Sequence, residues 1–182
     1  MNFQYSNSSN ISRFDKLSEI TSDGNLKYAQ WYYGPQKRLL SSIKLNLAGG
    51  KIYDSASLIA SFQKINESRN SRKFGSLNLK SQDEDLRIFS INTDFSKNLN
   101  EINSLAYGFE FTNNKLNSTA KNFELVIENN RVIDRILSKS LSRYPSNGSK
   151  YGSMATYFEF RKKINPKANL SIGTRYSLID IS

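Results

Sequence analysis

The sequence predicts an all-β fold, an antiparallel meander of about seven long strands with the patterning of a transmembrane β-barrel wall. Three observations carry this expectation. Apolar residues alternate with small or polar ones and never gather into runs. The alternating segments mostly span about 11 residues or more, against roughly five or six in an ordinary strand and roughly 9 to 11 in a tilted strand crossing a bilayer. Short turns and long polar loops separate them, and aromatics stand near the strand ends.

Taken in order, Phe3, Tyr5 and Ile11 alternate loosely with Gln4, Ser6 and Ser8, which predicts a first strand over 3–14. From Lys16 to Gln36 a polar stretch with Asp23-Gly24 reads as a loop ending in the aromatic cluster Trp31, Tyr32 and Tyr33, before Gly34-Pro35. Leu39, Ile43, Leu45 and Leu47 then alternate with Ser42, Lys44, Asn46 and Ala48 up to Gly49-Gly50. The Gly-Gly-Lys there lacks the spacing of a phosphate loop and is read as a turn. Ala56, Leu58, Ala60 and Phe62 form one face of the next strand, which leads into the polar run NESRNSRK and a turn at Gly75. Asp83, Glu84 and Asp85 lack the spacing of a calcium loop and are expected at a wetted strand end.

The clearest pair lies between Leu86 and Asn113. Phe89, Ile91 and Phe95 share a face opposite Ser90, Asn92, Asp94 and Ser96, and Lys97 to Glu101 make a polar reversal. In the returning strand Leu105, Tyr107, Phe109 and Phe111 oppose Ser104, Ala106, Gly108, Glu110 and Thr112, because successive side chains take opposite faces. The first set is assigned to lipid and the second to a polar lumen. After Asn113 only an apolar patch at Leu125 to Ile127 interrupts what is expected to be a loop as far as Lys150; a loop of that length is ordinarily functional. Met154, Phe158 and Phe160 then oppose Glu159 and Arg161, Asn165-Pro166-Lys167 turns the chain, and Leu170, Ile172, Tyr176 and Leu178 oppose Asn169, Ser171, Gly173, Arg175 and Ser177.

Composition narrows the function classes. A chain of 182 residues fits one domain. The opening MNFQYSNSSN has neither the basic start nor the apolar run of a secretory signal. Without cysteine there are no disulfides or thiolate metal sites, and without histidine the commonest metal ligand and general base is missing. No cofactor, metal or enzymatic activity is expected, and Glu110 and Glu159 are read as wall-lining carboxylates or partners of arginine. The net charge of +10 is scattered. Its densest groups, Arg69 with Arg72 and Lys73, and Arg161 to Lys163, are read as solvated rims and not as a nucleic-acid site.

The segments NSSNISRFDKLSE, AQWYYGPQKRLL, ESRNSRKF, LAYGFEFTNNKLNST, SRYPSNGSKYGSMATYFEF and ANLSIGTRYS resemble, in that order, the barrel of TonB-dependent outer-membrane receptors, especially the haem and haemoglobin receptor branch. The resemblance implies an outer-membrane location, a barrel of twenty-two strands, and import of an iron-bearing ligand such as haem or a ferric siderophore. It also implies lipid as a partner and a TonB complex engaged through an N-terminal part. Nothing here matches the plug or TonB box of that family, so residues 1–182 are expected to be a partial barrel domain. The alternative is a free-standing secreted or surface β-protein that binds polyanions through basic loops.

Barrels segregate short turns to the periplasm and long loops to the outside. Ala48 to Asp54, Lys97 to Glu101 and Asn165 to Lys167 are thus expected inside, and Lys16 to Gln36, Asn70 to Gly75 and Asn114 to Lys150 outside. Ligand-binding candidates on the outer loops are Arg143, Tyr144, Tyr151, Trp31, Tyr32 and Tyr33, since π surface and cations suit a chelate or porphyrin. The same tyrosines also suit an interfacial girdle, and Arg143 also suits a neighbouring loop or a lipid phosphate. Deletion of Asn122 to Ser140 is expected to leave the strands intact.

Overall fold

The computed structural model describes residues 1–145 and 148–182. One antiparallel sheet holds ten strands: β1 (Asn2–Asn7), β2 (Ile11–Ser12), β3 (Tyr28–Tyr33), β4 (Lys37–Ala48), β5 (Ser55–Lys73), β6 (Asn78–Asn98), β7 (Asn103–Glu128), β8 (Arg131–Lys139), β9 (Ser149–Asn165) and β10 (Ala168–Ile181). A single-turn helix, α1 (Phe14–Leu17), follows β2. The main path is β1-β4-β5-β6-β7-β9-β10, a meander of the expected seven strands.

The three remaining strands continue neighbours on that path. β3 pairs with β5 beyond the end of β4, β2 pairs with β3 beyond the end of β1, and β8 pairs with β7 beyond the end of β9. β2 thus continues β1, and β3 continues into β4, after three residues each, whereas nine residues separate β8 from β9. At the break between β3 and β4, Gly34 donates its N–H to the carbonyl of Ser68 at 2.9 Å. A Cβ at Gly34 would collide with the Ser68 side chain, so glycine permits the close approach. The break also changes the side to which the strand presents its residues. Tyr33 and Ile11 therefore lie opposite the face that carries Phe3 and Tyr5, contrary to the single alternating strand expected over 3–14.

Registers between the path strands run without slippage from β4 to β9, so the alternation of each strand adds to one common face. Cross-strand rows on that face read Ile43–Ala60–Ile91–Phe111–Met154–Leu178, then Leu45–Leu58–Thr93–Phe109–Thr156–Tyr176, then Leu47–Ala56–Phe95–Tyr107–Phe158. Ile43, Leu45, Phe89, Phe158 and Ile172 are all exposed. An apolar surface this continuous has no place in water and fits hydrocarbon. From Phe89 to Lys97 it extends eight residues along β6, about 26 Å at about 3.3 Å per residue. Phe95 stacks on Tyr107 at 5.1 Å and tilts toward Tyr53 at 5.8 Å at one edge of the band, while Phe89 meets Phe111 edge-on at 6.4 Å at the other.

Several loop expectations fail. The stretch from Asn114 to Lys150 is mostly strand: β7 runs on to Glu128, Asn129 and Asn130 make a tight turn with φ of 49° and 59°, and β8 returns to Lys139, which leaves as loop only the part that carries Arg143 and Tyr144. Residues 146 and 147 of that stretch lie outside the described residues. Deleting Asn122 to Ser140 would remove most of this hairpin. Likewise NESRNSRK is strand to Lys73, and 16–36 contains β3 and the end of α1. Asp83 to Asp85 lie within β6, where Glu84 faces away from its two neighbours and is only 5% exposed, so the wetted strand end is wrong as well. Outside the bilayer no lipid demands apolar alternation, yet a neighbouring strand still offers the same backbone hydrogen bonds, so polar sequence extends the sheet.

Residues 49–54, 99–102 and 166–167 join β4 to β5, β6 to β7, and β9 to β10 close to one edge of the apolar band, while at the other end the turns 74–77 and 129–130 stand at the tips of strands that run well past the band. Beside the first three connections Asp54 accepts from Lys97 Nζ and from the Asn98 N–H, both at 2.7 Å, and the lysine chiefly holds the carboxyl below its ordinary range. The sheet is open, with β1 and β10 as the edges of the main path.

Candidate ligand-binding face

The face opposite the apolar band is built from Ser57, Ser61, Ser90, Asn92, Asp94, Ala106, Gly108, Glu110, Tyr157, Glu159, Arg161 and Arg175. Both of its glutamates are paired with arginine. Arg161 grips Glu159 with two bonds of 2.9 Å, and Arg175 reaches across the buried Ala155 to Glu110. The expected pairing of both glutamates with arginine is found. Asp94, Gly108 and Tyr157 are direct cross-strand neighbours on β6, β7 and β9. Tyr157 lies across Gly108 and donates its hydroxyl to Asp94 at 2.6 Å. A Cβ at Gly108 would collide with the Thr93 carbonyl and with the tyrosine ring, both within 3 Å, so both the strand pairing and the brace require glycine here.

The long strands carry this same face outward past the apolar band. Because the β5–β6 and β6–β7 registers are unbroken, Glu67, Glu84 and Ser118 form one row on the side shared with Asp94. Tyr33 pairs with Arg69 and Trp31 with Ser71, which puts both aromatics on that side as well. The Arg13 guanidinium stacks over Trp31 at 4.9 Å and donates to the Tyr33 hydroxyl at 3.2 Å, and Arg69 covers Tyr33 at 5.6 Å. Trp31 and Tyr33 meet edge-on at 5.2 Å. A cavity of about 210 Å³ opens here, walled by Ile11, Tyr33, Gln36, Glu67 and Arg69.

A second cluster meets the first through the carboxylates. Arg69 reaches Glu67 at 3.3 Å, Glu67 stands beside Glu84, and Arg143 Nη1 approaches Glu84 at 3.7 Å while its guanidinium lies 5.4 Å over the Tyr144 ring. Trp31, Arg13, Tyr33, Arg69, Glu67, Glu84, Arg143 and Tyr144 therefore make one ladder of aromatic and charged groups across the part of the polar face that lies beyond the apolar band. Burial pushes the Glu84 carboxyl above its ordinary range, opposed by the charges of Arg143 and Arg69. Neither of its oxygens, nor the fully buried Ser118 hydroxyl, finds a hydrogen-bond partner among the described residues.

Of the six residues singled out in the sequence, Trp31, Tyr33, Arg143 and Tyr144 thus share one ladder. Tyr151 lies on the same face, paired with Asn114 nearer the apolar band. Tyr32 does not join them; it pairs with Asn70 on the other side of the sheet. Arg13, Arg69, Glu67 and Glu84 were not anticipated as site residues. For Glu67 and Arg69 the one sequence signal, the odd–even phase of NESRNSRK carried from Phe62, is usable only once that stretch is known to be strand.

Among known proteins, the profile of the Outer membrane protein beta-barrel family matches residues 48–182. No curated protein and no solved structure matches the chain.

Proposed function

The chain belongs to the outer membrane protein beta-barrel family, and on that premise we propose that it forms wall and outer mouth of a TonB-dependent receptor that captures an iron-bearing ligand for import. The supporting observation is the ladder of Trp31, Tyr33, Arg69 and Arg143 on the polar face, outward of the apolar band. Indole and phenol rings suit the planar surface of a porphyrin or aromatic chelator, and guanidinium groups suit its carboxylates. With no histidine, these residues hold the ligand by stacking and charge and not by imidazole coordination. Binding and passage need no turnover. Coupling to a TonB complex is part of the same proposal, with no residue of this chain assigned to it. The free-standing alternative gains nothing from the exposed apolar face, which would meet water.

Short turns inside and long extensions outside follow from the same reading. The chain contains no cysteine, so single cysteines at Asn130 and Asn100 report cleanly. A membrane-impermeant maleimide should label the first on intact cells and the second only after lysis; the reverse pattern inverts the orientation. For the ligand, haemin and a ferric siderophore are each supplied as sole iron source to cells that depend on the intact receptor. Tyr33→Ala with Arg143→Ala should weaken binding by roughly tenfold or more, since stacking and charge-assisted contacts are each worth about 1 kcal/mol or more. Outer-membrane abundance should not change. A receptor that supports growth on neither iron source, or a double variant that binds as the parent does, refutes the proposal.

A further inference from the structure

Just outward of the last apolar row, the lipid-facing side of the sheet turns cationic within one step of its alternation. Leu39, Lys64, Arg87, Lys115 and Lys150 are cross-strand partners in one unbroken row over β4, β5, β6, β7 and β9. That row stands two residues beyond Phe62 and Phe89, and Tyr5 continues it onto β1. Four successive strands, about 4.8 Å apart, so present Lys64, Arg87, Lys115 and Lys150 side by side, all exposed. Lys37 adds a fifth cation one row further out. Like charges directly opposite each other destabilise a strand pair, so a row of four calls for an anion.

The protein supplies little of it. Asp85, in the neighbouring row outward, lies 3.5 Å from Lys64 Nζ and 3.0 Å from Arg87 Nε, and Asp180, opposite Gly152 in the neighbouring row inward, forms no ion pair among the described residues; these are two carboxylates against five cations. Lys115 and Lys150 form no ion pair among the described residues. The placement is selective for both face and level. Over β5 to β9 the inner-face rows that flank it, Gln63–Ile88–Asn114–Tyr151 and Ile65–Leu86–Leu116–Ser149, carry no charge, and the one charge that β4 adds to them is Arg38, which donates to Gln63 at 3.0 Å. At the other edge of the apolar band the corresponding row is Lys97–Leu105–Phe160–Ile172, whose one cation is already held by Asp54. A surface cavity of about 360 Å³ lies at the girdle between Tyr5, Leu39, Lys37 and Lys64, joining an apolar floor to a cationic rim.

We propose that this row is a docking girdle for phosphate groups of an anionic lipid in the outer leaflet, a phosphorylated glycolipid whose acyl chains lie on the apolar rows below. The inference rests on the outer-membrane reading alone and is independent of ligand import. Lysine and arginine each gain charge-assisted contacts to phosphate oxygens, and the boundary between headgroup and hydrocarbon places phosphates at this height.

The test measures binding of lipid A to the detergent-extracted protein by native mass spectrometry. Phosphorylated and enzymatically dephosphorylated lipid A are compared, with inorganic phosphate as competitor. The parent protein should prefer the phosphorylated lipid, and inorganic phosphate at the same concentration should not displace it. Lys115→Gln with Lys150→Gln removes the two cations that have no ion pair and should weaken phosphorylated-lipid binding roughly thirtyfold. Lys162→Gln with Lys163→Gln removes the same charge at the other end of the sheet and should leave it unchanged. Equal binding of the two lipids by the parent overturns the proposal without recourse to any variant. Displacement by inorganic phosphate would make the row a free-anion site, and equal losses in both double variants would reduce it to net charge; either result also overturns it.

Discussion

Substituting arginine for Phe109 probes the assignment of faces where it is most exposed to failure. Phe109 sits four residues from Leu105 and four from Asn113, in the row Leu45–Leu58–Thr93–Phe109–Thr156–Tyr176, with another full apolar row on each side. It is 37% exposed on the band, so its side chain meets lipid and not a neighbouring element. An arginine near the middle of the lipid face of a barrel costs about 2 to 4 kcal/mol, a factor of roughly 30 to 1,000 in the folding equilibrium. Ala106 is only three residues away and faces the other side, directly opposite Glu159. An arginine there meets a carboxylate and a polar surface, and its cost should stay below about 1 kcal/mol. Reversible folding of the intact receptor into lipid vesicles, read by the gel mobility of folded against unfolded protein, compares Phe109→Arg with Ala106→Arg. Equal losses, or a larger loss at Ala106, would refute the assignment.

Gly108→Ala should displace Tyr157 from Asp94 and cost about 1 to 3 kcal/mol, the usual range for overpacking. Gly152→Ala, where a Cβ meets nothing within 4 Å, should be close to neutral, with both variants read by thermal unfolding. Glu84 supplies a pH dependence. Its folded-state carboxyl titrates above the unfolded value of 4.5, so it favours the fold below that value, and the contribution is lost as pH rises through the folded pKa. Glu84→Gln should therefore raise the thermal midpoint at pH 7 relative to the parent and flatten the rise that the parent shows between pH 7 and pH 4.5; a lower midpoint at pH 7 would mean that the Arg143 pairing outweighs the burial.

What could be read from the sequence was what the bilayer imposes. β4, β9, β10 and the first half of β7 carry strict alternation because one side meets hydrocarbon and the other a polar interior, and the predicted faces are those observed. The same β7 becomes illegible after Asn113, where the run NKLNSTAKNFELVIE meets no lipid and owes its strand form to ladders with β6 and β8. Trp31 to Tyr33 were recognisable as a binding candidate. Their division into two inward residues and one outward needed the strand that a polar surrounding concealed. The cationic girdle was harder still, since Lys64, Arg87, Lys115 and Lys150 are more than twenty residues apart and only the cross-strand registers make them neighbours.

The central claim is that this sheet stands in a membrane with Leu105, Tyr107, Phe109 and Phe111 toward lipid and the intervening residues toward water. Single cysteines placed in turn from Ser104 to Thr112 of the intact receptor, spin-labelled in vesicles, test it directly through relative accessibility to oxygen, which concentrates in hydrocarbon, and to a water-soluble nickel chelate. The account predicts a period of two, with oxygen favoured at 105, 107, 109 and 111 and nickel favoured at 104, 106, 108, 110 and 112. The opposite phase, or nickel access that does not alternate, would contradict it.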